Sequence, residues 1–481
     1  MDRPDQQPDF TKDKWRDYMK EKINLHGDDA PVFNESWKIL KPPQALLEVK
    51  PQSYNPKLVT IGPLYQNLEL SPINNFKALC VRKFMERHGI SSVGELMQYL
   101  SHDQPDELSR IYNLNLSQSD FDWLQLLVTI DTVFIHEFLL FLSKEDPTAG
   151  VCKYFTIFFF NNDFTFNARV RRDFLLVGNQ IPMSYVKKIT EIAGNRNFSL
   201  DVLEKTVRRF IVPRIPFISS ERVQTRFERF LESKGRKLID KCEHLLDALY
   251  FSCTETFDDS KRPSERPPPS SASYSEEESH HIPTASQLSK AGISFKACEG
   301  NISVMKYDKT KLQLNLPPLI VYDGTEDVLR NLLAYEQTFK DGGKFTMYAA
   351  IMDSLIDTQE DLAILTKAKV LENNLGSDEK LIQMWNEMCT NVYYEPCKEW
   401  KEMSHEINTH NSSRWRRLYV EFYQTYLSRP WLMASVIAAF VLLSLSILQT
   451  VYSILAYYKA LNQPKSLNAM AKIKKLNTIK Y

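Results

Sequence analysis

Residues 431–458 read WLMASVIAAFVLLSLSILQTVYSILAYY, and no residue in this run carries a charge. A helix of about 20 mostly apolar residues spans the hydrocarbon core of a bilayer. Leucine, isoleucine, valine and phenylalanine each favour insertion by roughly 0.3 to 0.6 kcal/mol, which outweighs the scattered polar residues of the run. The stretch therefore predicts one transmembrane helix at 431–458.

The flanks of this run also fit a membrane helix. Arg429 ends the uncharged run on one side and Lys459 on the other. Aromatic rings favour the two membrane interfaces, where Trp431, Tyr457 and Tyr458 stand. The predicted membrane-anchor residues are Trp431, Leu432, Phe440, Leu443, Leu448, Tyr457 and Tyr458. The alternative is a buried core helix of a soluble protein, which the length and the flanks disfavour.

Two signals bear on the orientation of this helix. Arginines precede it between 414 and 429, and lysines follow it between 459 and 480, which mildly favours a cytoplasmic C-terminus. The N-terminal sequence MDRPDQQPDFTKDKW has no apolar core and cannot be a secretory signal. Threading only the short tail through the bilayer moves far less polar chain than threading the body. We expect a single-pass protein of the plasma membrane or endomembranes, with a C-terminal anchor and a cytosolic body.

A lumenal or cell-surface body is the alternative topology. It predicts glycans on the sequons at Asn34, Asn115, Asn197, Asn301 and Asn411, although such tripeptides often arise by chance. The 7 cysteines are scattered, odd in number and without a CxxC pair. Reduced, buried thiols are therefore expected, which fits a cytosolic body.

The rest of the chain has the composition of a folded protein. It is 43% hydrophobic and 25% charged, and 60 basic residues balance 60 acidic ones. A general nucleic-acid binder carries an excess of basic residues. The composition predicts a folded body and no nucleic-acid partner.

Changes in composition divide the chain into seven parts. These are a polar leader (1–36), a first helical part (37–257), a Pro/Ser-rich disordered loop (258–283), a β insert with a second helical part of the same domain (284–412), a juxtamembrane amphipathic helix (413–430), the transmembrane helix (431–458) and a basic tail (459–481). The loop is too polar to be buried. The helix at 413–430 groups aromatic residues beside arginines, as helices lying on lipid head groups do.

Hydrophobic periodicity predicts a mainly helical body. Helices are expected at 119–143, 169–193, 221–251, 326–339, 345–375 and 377–400, with breaks at Pro182 and near Asp357. The first is apolar nearly all round and interrupted by charges, so we expect it inside the body and not as a second span. Proline-rich residues 37–65 are expected to be extended chain on the surface.

Three segments, 293–297, 303–307 and 312–322, alternate or run apolar between turn residues. They predict a small antiparallel sheet. The expected fold is a mainly α-helical body with a small antiparallel β insert, followed by one C-terminal transmembrane helix.

Seven segments follow one another in a recognisable order. They are YNPKLVTIGPLY (54–65), LVTIDTVFIHEFL (127–139), RRDFLLVGNQIP (171–182), IPTASQLSKAGISFK (282–296), LRNLLAYEQ (329–337), MDSLIDTQEDLAIL (352–365) and QTVYSILAYY (449–458). Together they resemble the plant "domain of unknown function 247" family of single-span membrane proteins. The motif residues are Gly62, Pro63, Asp131, Asp173, Asn179, Gln180, Pro182, Gly292, Asn331, Glu336 and Gln337.

The resemblance implies a largely helical body on one C-terminal span and no established enzymatic activity. Some relatives resemble pollen and stigma compatibility determinants of grasses, which implies recognition between proteins. The chain departs from the family at 177–182, where VGNQIP stands in place of LENQIP, and at 64–67, where LYQN replaces a more histidine-rich stretch. Gly178 in place of the glutamate removes an acid/base role there and leaves the expected fold unchanged.

No motif for catalysis, a cofactor or a metal stands out. His136-Glu137 begins like HExxH, but Leu140 occupies the place of the second histidine, so a buried core histidine is favoured. There is no GxxxxGK[ST] phosphate loop and no GxSxG nucleophile elbow. We expect no cofactor and no metal.

An acidic cluster is the best candidate for an enzyme site. Asp353, Asp357, Glu360 and Asp361 fall at helical spacings and could bind a cation or act as an acid/base pair. Glu360 and Asp361 could equally open a helix that restarts after Thr358, where the helix dipole favours acids. The capping role is favoured.

Polar motif residues beside apolar runs have two interpretations. Asn179 and Gln180, and Asn331 with Glu336 and Gln337, are expected to satisfy buried backbone groups, with a polar recognition pocket as the alternative. The favoured function is a membrane-anchored interaction or signalling component. Its expected partners are the lipid bilayer and unidentified proteins. The competing class is a membrane-tethered enzyme that uses the acidic cluster at 353–361.

Overall fold

The structure is a computed structural model that describes residues 38–461 with gaps. The gaps are 66–71, 102–106, 115–117, 144–154, 156–165, 195–197, 218–223, 226–227, 229–236, 256–280, 340–342, 394–395, 397 and 412–429. The predicted leader, most of the Pro/Ser-rich loop, the juxtamembrane helix and most of the basic tail lie outside the described residues.

The described chain is mainly helical, as the periodicity predicts. Its helices are α1 (Gln44–Val49), α2 (Pro72–His88), α3 (Val93–Ser101), α4 (Glu107–Ile111), α5 (Gln118–Ser143), α6 (Phe166–Asp173), α7 (Met183–Ala193), α8 (Leu200–Ile211), α9 (Leu238–Lys241), α10 (Leu245–Thr254), α11 (Ala285–Lys290), α12 (Thr325–Phe339), α13 (Lys344–Leu355), α14 (Gln359–Lys367), α15 (Asp378–Met388), α16 (Lys398–Asn411) and α17 (Pro430–Leu461). Its strands are β1 (Ser294–Ala297), β2 (Lys306–Asp308), β3 (Gln313–Leu316), β4 (Leu319–Val321) and β5 (Leu371–Asn373). The predicted fold class is confirmed.

Helix α5 is the centre of the first half of the body. Helices α2, α3, α7 and α8 pack on it, and every residue from 131 to 140 is buried. Its stretch Phe121–Ser143 has a mean hydropathy of 1.8, yet 72% of its most apolar window lies buried. Because it is apolar nearly all round, neighbouring helices can cover all its faces. The prediction that this helix lies inside the body is confirmed.

Phenylalanine rings fix the chain after α6 to the central helix. Phe134 of α5 meets Phe174 edge to face, with ring centroids 6.1 Å apart, and Phe138 meets it at 5.1 Å. Aromatic pairs prefer this geometry because the positive edge of one ring faces the negative face of the other. The turn that starts at Phe174 therefore has a fixed position against α5.

The larger sheet is mixed, whereas an antiparallel sheet was predicted. Strand β3 lies in the middle, and Leu314 stands opposite Phe295 of β1 in parallel pairing and opposite Tyr307 of β2 in antiparallel pairing. Alternation of apolar residues decides which face of a strand is buried, but it does not decide strand direction. The prediction of a small sheet is right, and its pairing needs this correction.

Segment 312–322, predicted as one strand, belongs to two sheets. Pro317 and Pro318 separate β3 from β4, and proline ends a ladder because it has no N–H to donate. Strand β4 then pairs in parallel with β5, Leu319 opposite Leu371. Strand β5 lies within residues 345–375, which were predicted to be helical, so the prediction is wrong at this strand. Lys369 has a φ of 58°, which ends the helical backbone before the strand begins.

Other predicted helices agree in position and differ in their breaks. The break near Asp357 is confirmed, because α13 ends at Leu355 and α14 begins at Gln359. In its described part, the predicted helix 221–251 is interrupted between α9 and α10, where the His244 side chain accepts the N–H of Asp247 and caps α10. The predicted helix 377–400 is likewise two helices, α15 and α16.

The proline-rich stretch 37–65 enters the core, which corrects its expected place on the surface. It contains the short helix α1 and a 3₁₀ turn, Pro51–Ser53. Beyond them Tyr54, Val59 and Ile61 are at most 1% exposed. Non-helical backbone inside a helical body needs partners for its N–H and C=O groups.

Helix α17 differs from the helices of the body in its exposure. Its stretch Ala434–Lys459 has a mean hydropathy of 2.1, and none of its most apolar window is buried. Phe440 is 71% exposed and Leu443 is 61% exposed. By length and composition the helix could cross a membrane.

Candidate functional site

Residues 57–62 (KLVTIG) cross the core, and buried side chains bind their backbone. The carboxylate of Asp173, at the end of α6, accepts three consecutive N–H groups: those of Lys57 at 3.1 Å, Leu58 at 2.7 Å and Val59 at 2.9 Å. Asp173 itself is 0% exposed. Hydrogen bonds to a charged acceptor are stronger than neutral ones, particularly away from water.

Asn179 binds the next part of the segment. Its side-chain oxygen accepts the N–H of Ile61 at 2.6 Å, and its amide nitrogen donates to the carbonyl of Val59 at 3.0 Å and to that of Asp173 at 2.7 Å. Asn179 therefore mimics the edge of a strand, with an acceptor and a donor side by side.

An ion pair closes the far end of the segment. Asp131 of α5 accepts the N–H of Gly62 at 2.9 Å and the ammonium of Lys77 at 2.5 Å. Lys77 also donates to the carbonyl of Thr60 at 2.6 Å. Burial raises the pKa of Asp131, while Lys77 and the Gly62 N–H act in the opposite direction. We call Lys77, Asp131, Asp173 and Asn179 the polar clamp.

The backbone conformation and the surroundings of residue 62 explain why it is glycine. Its φ is +65°, and an added Cβ would lie 3.0 Å from the Tyr112 hydroxyl and 3.1 Å from the Gln180 carbonyl oxygen. Both the left-handed backbone and the crowding disfavour a side chain.

Replacing Gly62 by alanine is expected to lower the free energy of unfolding by about 2 to 4 kcal/mol, the sum of backbone strain and overpacking. Gly89→Ala is the matched control, since Gly89 has a φ of +67° and nothing within 4 Å of the added Cβ. Denaturant titration of both variants measures the difference. Equal losses in the two variants would contradict the crowding at residue 62.

Two further motif amides connect the clamp to the rest of the body. Gln180 donates to the carbonyls of Phe174 and Leu176 and accepts the N–H of Leu246 on α10. Asn331 of α12 accepts the N–H of Val177 and donates to the carbonyl of Ser53. The expected role, satisfying buried backbone groups, is confirmed for these amides.

The other motif residues lie elsewhere. Glu336 accepts the Tyr250 hydroxyl at 2.5 Å and the N–H groups of Phe345 and Thr346 at the start of α13. Gln337 donates to the Thr346 hydroxyl at 3.2 Å. Pro63 follows the clamped segment, Pro182 precedes α7 and Gly292 turns between α11 and β1.

The acidic residues 353–361 have separate roles in the structure. Asp361 lies in the first turn of α14, as predicted, and the structure shows that it forms a capping box with Thr358 and accepts the N–H of Ser286 at 2.6 Å. Glu360 is exposed and pairs with Lys290. Burial raises the pKa of half-buried Asp353, with Asp357 adding to this and His281 opposing it.

Burial by itself raises the pKa of Asp361, but hydrogen bonds from Thr358 and Ser286 lower it further than burial raises it. A carboxylate with a lowered pKa stabilises the fold above its unfolded pKa of 3.8 and loses this contribution as the pH falls below it.

Asp361→Asn is therefore expected to cost about 1 to 2 kcal/mol of unfolding free energy at pH 7, and less below pH 3.8. Glu360→Gln, on the exposed neighbour, is the control and should change little. Urea titrations of both variants and the wild type at pH 7 and at a pH below 3.8 test this. A loss for Asp361→Asn that is the same at both pH values would argue against the capping carboxylate.

His136 is a core residue, as predicted. It is 1% exposed and lies edge to face with Phe84 and Phe198. Beside it Glu137 forms an ion pair with Arg87. Among the described residues no group of three or more His, Cys, Asp or Glu side chains is placed to hold a metal ion.

A surface groove that the sequence did not single out opens beside the clamp. Its volume is about 730 Å³, and five basic side chains and two acidic ones line it, together with apolar residues. The charged lining residues are Lys57, Arg169, Arg171, Arg172, Arg214, Asp323 and Asp327. Arg172 pairs with Asp173 of the clamp at 2.9 Å and with Asp327 at 2.5 Å, so it connects the two features.

One sequence signal for this groove was available. RRDF (171–174) places two arginines directly before a buried aspartate. Arg169 lies on the same helix, whereas Lys57 and Arg214 come from distant positions, so only the fold brings those two to this surface.

These features define a class of protein: a helical body that binds an internal non-helical segment by a buried polar clamp, with one exposed apolar helix after it. A family model described as "Plant protein of unknown function", DUF247, matches residues 39–445. The chain belongs to this plant family.

Two relatives from Arabidopsis thaliana match almost the whole chain. UPF0481 protein At3g02645 is 23% identical, over 92% of this chain and 94% of its own length. UPF0481 protein At3g47200 is also 23% identical, over 90% of each chain. No solved structure matches significantly.

Proposed function

We propose that this plant protein is anchored in a membrane by α17 and that its body is a cytosolic, non-enzymatic component of protein interaction or signalling. The observation that carries the anchor is the exposure of α17, whose most apolar window has no buried residue. Exposed apolar surface of this extent is unfavourable in water, at roughly 25 cal/mol per Å². Lipid is the solvent that removes this cost.

Helix α5 provides the comparison within the same chain. Both helices are long and apolar enough to cross a bilayer, but the body covers 72% of the α5 window and none of the α17 window. The body thus supplies an apolar environment for α5, and a bilayer would supply one for α17.

The cytosolic placement of the body is supported by the burial of one potential glycosylation site, Asn301, and by the state of the cysteines. Asn301 is 0% exposed, and its side-chain amide donates to the carbonyls of Ser252 and Glu255. A glycan on that nitrogen would be incompatible with this packing. The described cysteines, Cys80, Cys242, Cys253, Cys298 and Cys389, form no disulfide with one another, as expected in a reducing compartment.

The use of the motif residues supports an interaction role over catalysis. Asp173, Asn179 and Asn331 bind backbone groups of the body, and Asp361 is held in its capping box. Side chains that are occupied in this way stabilise the fold and are not presented to a substrate.

Alkaline carbonate washing of membranes from plant cells that express the full chain tests the anchor. We expect the protein to remain in the pellet, and its release into the supernatant would refute the proposal. Protease digestion of sealed microsomes tests the topology. The body should be degraded without detergent, whereas protection until detergent is added would place it in the lumen.

Proximity labelling from the intact protein tests the interaction role. A version with an enzyme fused to the N-terminus should label a reproducible set of proteins beyond those labelled by a fusion to an unrelated tail-anchored helix. Identical sets would show that the body adds no partner of its own.

A further inference from the structure

Helix α17 carries a glutamine inside its uncharged run. Gln449 precedes Tyr457 by eight residues and follows Trp431 by 18 residues. At 1.5 Å per residue, these aromatic residues lie about 12 Å and about 27 Å away along the helix axis. Side chains near the ends of a span can extend to the interface, but a glutamine side chain is too short to do so from this depth. In a membrane, the Gln449 amide would therefore lie in the hydrocarbon core.

The helix satisfies several of its own polar groups, but not this amide. The hydroxyls of Ser444, Thr450 and Ser453 each donate to the carbonyl four residues earlier, at 2.8, 2.9 and 2.8 Å. The exposed Gln449 side chain forms no hydrogen bond with any residue that the structure describes. Hydrocarbon contains no water to replace the missing bonds, so an amide there needs a protein partner.

The face of α17 around Gln449 consists mostly of small residues. Residues that are alternately three and four positions apart share one side of a helix, as they do along a coiled-coil contact. In α17 these positions hold Ala439, Leu442, Ser446, Gln449, Ser453 and Ala456. The opposite side holds Phe440, Leu443, Ile447, Val451 and Ile454. Small residues let two membrane helices approach closely, and polar side chains then form hydrogen bonds across the contact. The Gln449 face therefore suits a second helix, and the opposite side suits lipid.

The body of the same chain does not supply this second helix. The other helix that is long and apolar enough to cross a membrane is α5, and the body covers 72% of its most apolar window. Among the residues that the structure describes, α17 is the only such helix whose apolar window is fully exposed. The helix that contacts Gln449 must therefore come from another chain.

A second copy of this chain meets the requirement. Copies that are inserted in the same way share one orientation, so two α17 helices would lie parallel. In a parallel pair with twofold symmetry, the same residue of each helix meets at the same depth. A glutamine amide contains both a donor NH₂ group and an acceptor oxygen. Two Gln449 amides can therefore donate to each other, and each becomes the partner that the other needs.

We propose that α17 forms a parallel dimer with the α17 of a second copy, with mutual hydrogen bonds between the two Gln449 amides and with Ala439, Ser446 and Ser453 in the contact. This inference rests on the proposed membrane anchor, because the amide needs a protein partner only in a bilayer. The dimer places two bodies on the same side of the membrane. An interaction partner with two binding sites could then bind both bodies at once.

Energy transfer between labelled copies tests the dimer. The purified full chain carries a donor or an acceptor dye at its N-terminus, and the two forms are reconstituted together in phosphatidylcholine vesicles at several protein-to-lipid ratios. We expect transfer that saturates as the ratio rises, increases linearly with the acceptor fraction as in a dimer, and falls when unlabelled chain is added. Transfer no greater than that of chance proximity overturns the proposal.

Substitutions of Gln449 test the hydrogen bonds. Gln449→Leu is expected to weaken dimerisation about three- to thirtyfold, which is the range for one interhelical hydrogen bond in a membrane. Gln449→Asn keeps an amide and should dimerise more tightly than Gln449→Leu. If Gln449→Leu dimerises as tightly as the wild type, the amides do not form the contact and the proposal is wrong.

The same substitution at two positions tests the face. Ser446→Leu adds bulk inside the proposed contact and should weaken dimerisation. Ser444→Leu is the matched control, because Ser444 lies on the other side of the helix and should tolerate the same change. Both changes make the helix more apolar, so neither should weaken a membrane anchor. Equal effects of the two substitutions would overturn the assigned face.

Carbonate washing of the same vesicles distinguishes failure of the dimer from failure of the anchor. The wild-type chain and all the variants are expected to remain with the vesicles. A chain that remains there without energy transfer would refute the dimer and leave the anchor standing. Release of the wild-type chain would refute both.

Discussion

Asp173→Ala is expected to lower the free energy of unfolding of the body by about 3 to 5 kcal/mol, the range for removing one partner from a buried charged network. The carboxylate binds the N–H groups of Lys57, Leu58 and Val59 and lies 2.9 Å from Arg172. Alanine would leave three N–H donors without their acceptor, of which that of Val59 is fully buried, and would also leave the charge of Arg172 paired only with Asp327.

The native stability of a protein is about 5 to 15 kcal/mol, so this single change removes a large part of it. Denaturant titration of the full chain in detergent measures the loss. Asp173→Asn should lose less, because its amide keeps one acceptor oxygen of the same shape. Asp323→Ala, at an exposed position, serves as the control with little expected change. A loss below about 1 kcal/mol for Asp173→Ala would show that the clamp is dispensable.

The second large effect concerns the apolar helix. If α17 anchors the protein as proposed, replacing both Leu443 and Leu448 by arginine is expected to abolish stable membrane integration. Each arginine costs roughly 2.5 to 3.5 kcal/mol at the centre of a span and removes the favourable leucine contribution, so the pair costs about 6 to 8 kcal/mol. Both leucines are exposed on α17, at 61% and 52%. Their replacement should not disturb the packing of the body.

Carbonate washing measures the pellet fraction of this double variant. The matched control replaces the same two leucines by alanine, which keeps the helix uncharged and should keep the protein in the pellet. If the double-arginine variant remained in the pellet as completely as wild type, the anchor would lie elsewhere in the chain.

The two long apolar helices show what a sequence pattern can predict and what it cannot. Sequence alone predicted that polar residues such as Asp131, His136 and Glu137 place α5 inside the body, and it does lie there. The carboxylates of Asp131 and Glu137 are tolerated because Lys77 and Arg87, both on α2, pair with them. The presence of charge was visible in the sequence, but the identity of its partners was not.

At the candidate site, too, the sequence predicted the role of the motif residues but not their partners. Sequence reasoning expected Asn179, Gln180 and Asn331 to satisfy backbone groups, and they do. It could not name residues 57–62 as the target of Asn179, because that segment is more than 100 positions away from Asn179 in the chain. Three groove arginines, Arg169, Arg171 and Arg172, are neighbours in the sequence, but only the fold shows that Lys57 and Arg214 join them.

The sequence by itself determined the mainly helical class, the buried central helix, the helix start after Thr358 with acidic residues in its first turn, and an apolar C-terminal helix long enough to span a bilayer. These depend on the order of neighbouring residues, since helix periodicity and capping act within a few positions. Only the tertiary structure decided the strand pairing, the path of residues 57–62 through the core and the basic groove. Those depend on groups that meet in space from distant parts of the chain, and no local pattern encodes such a meeting.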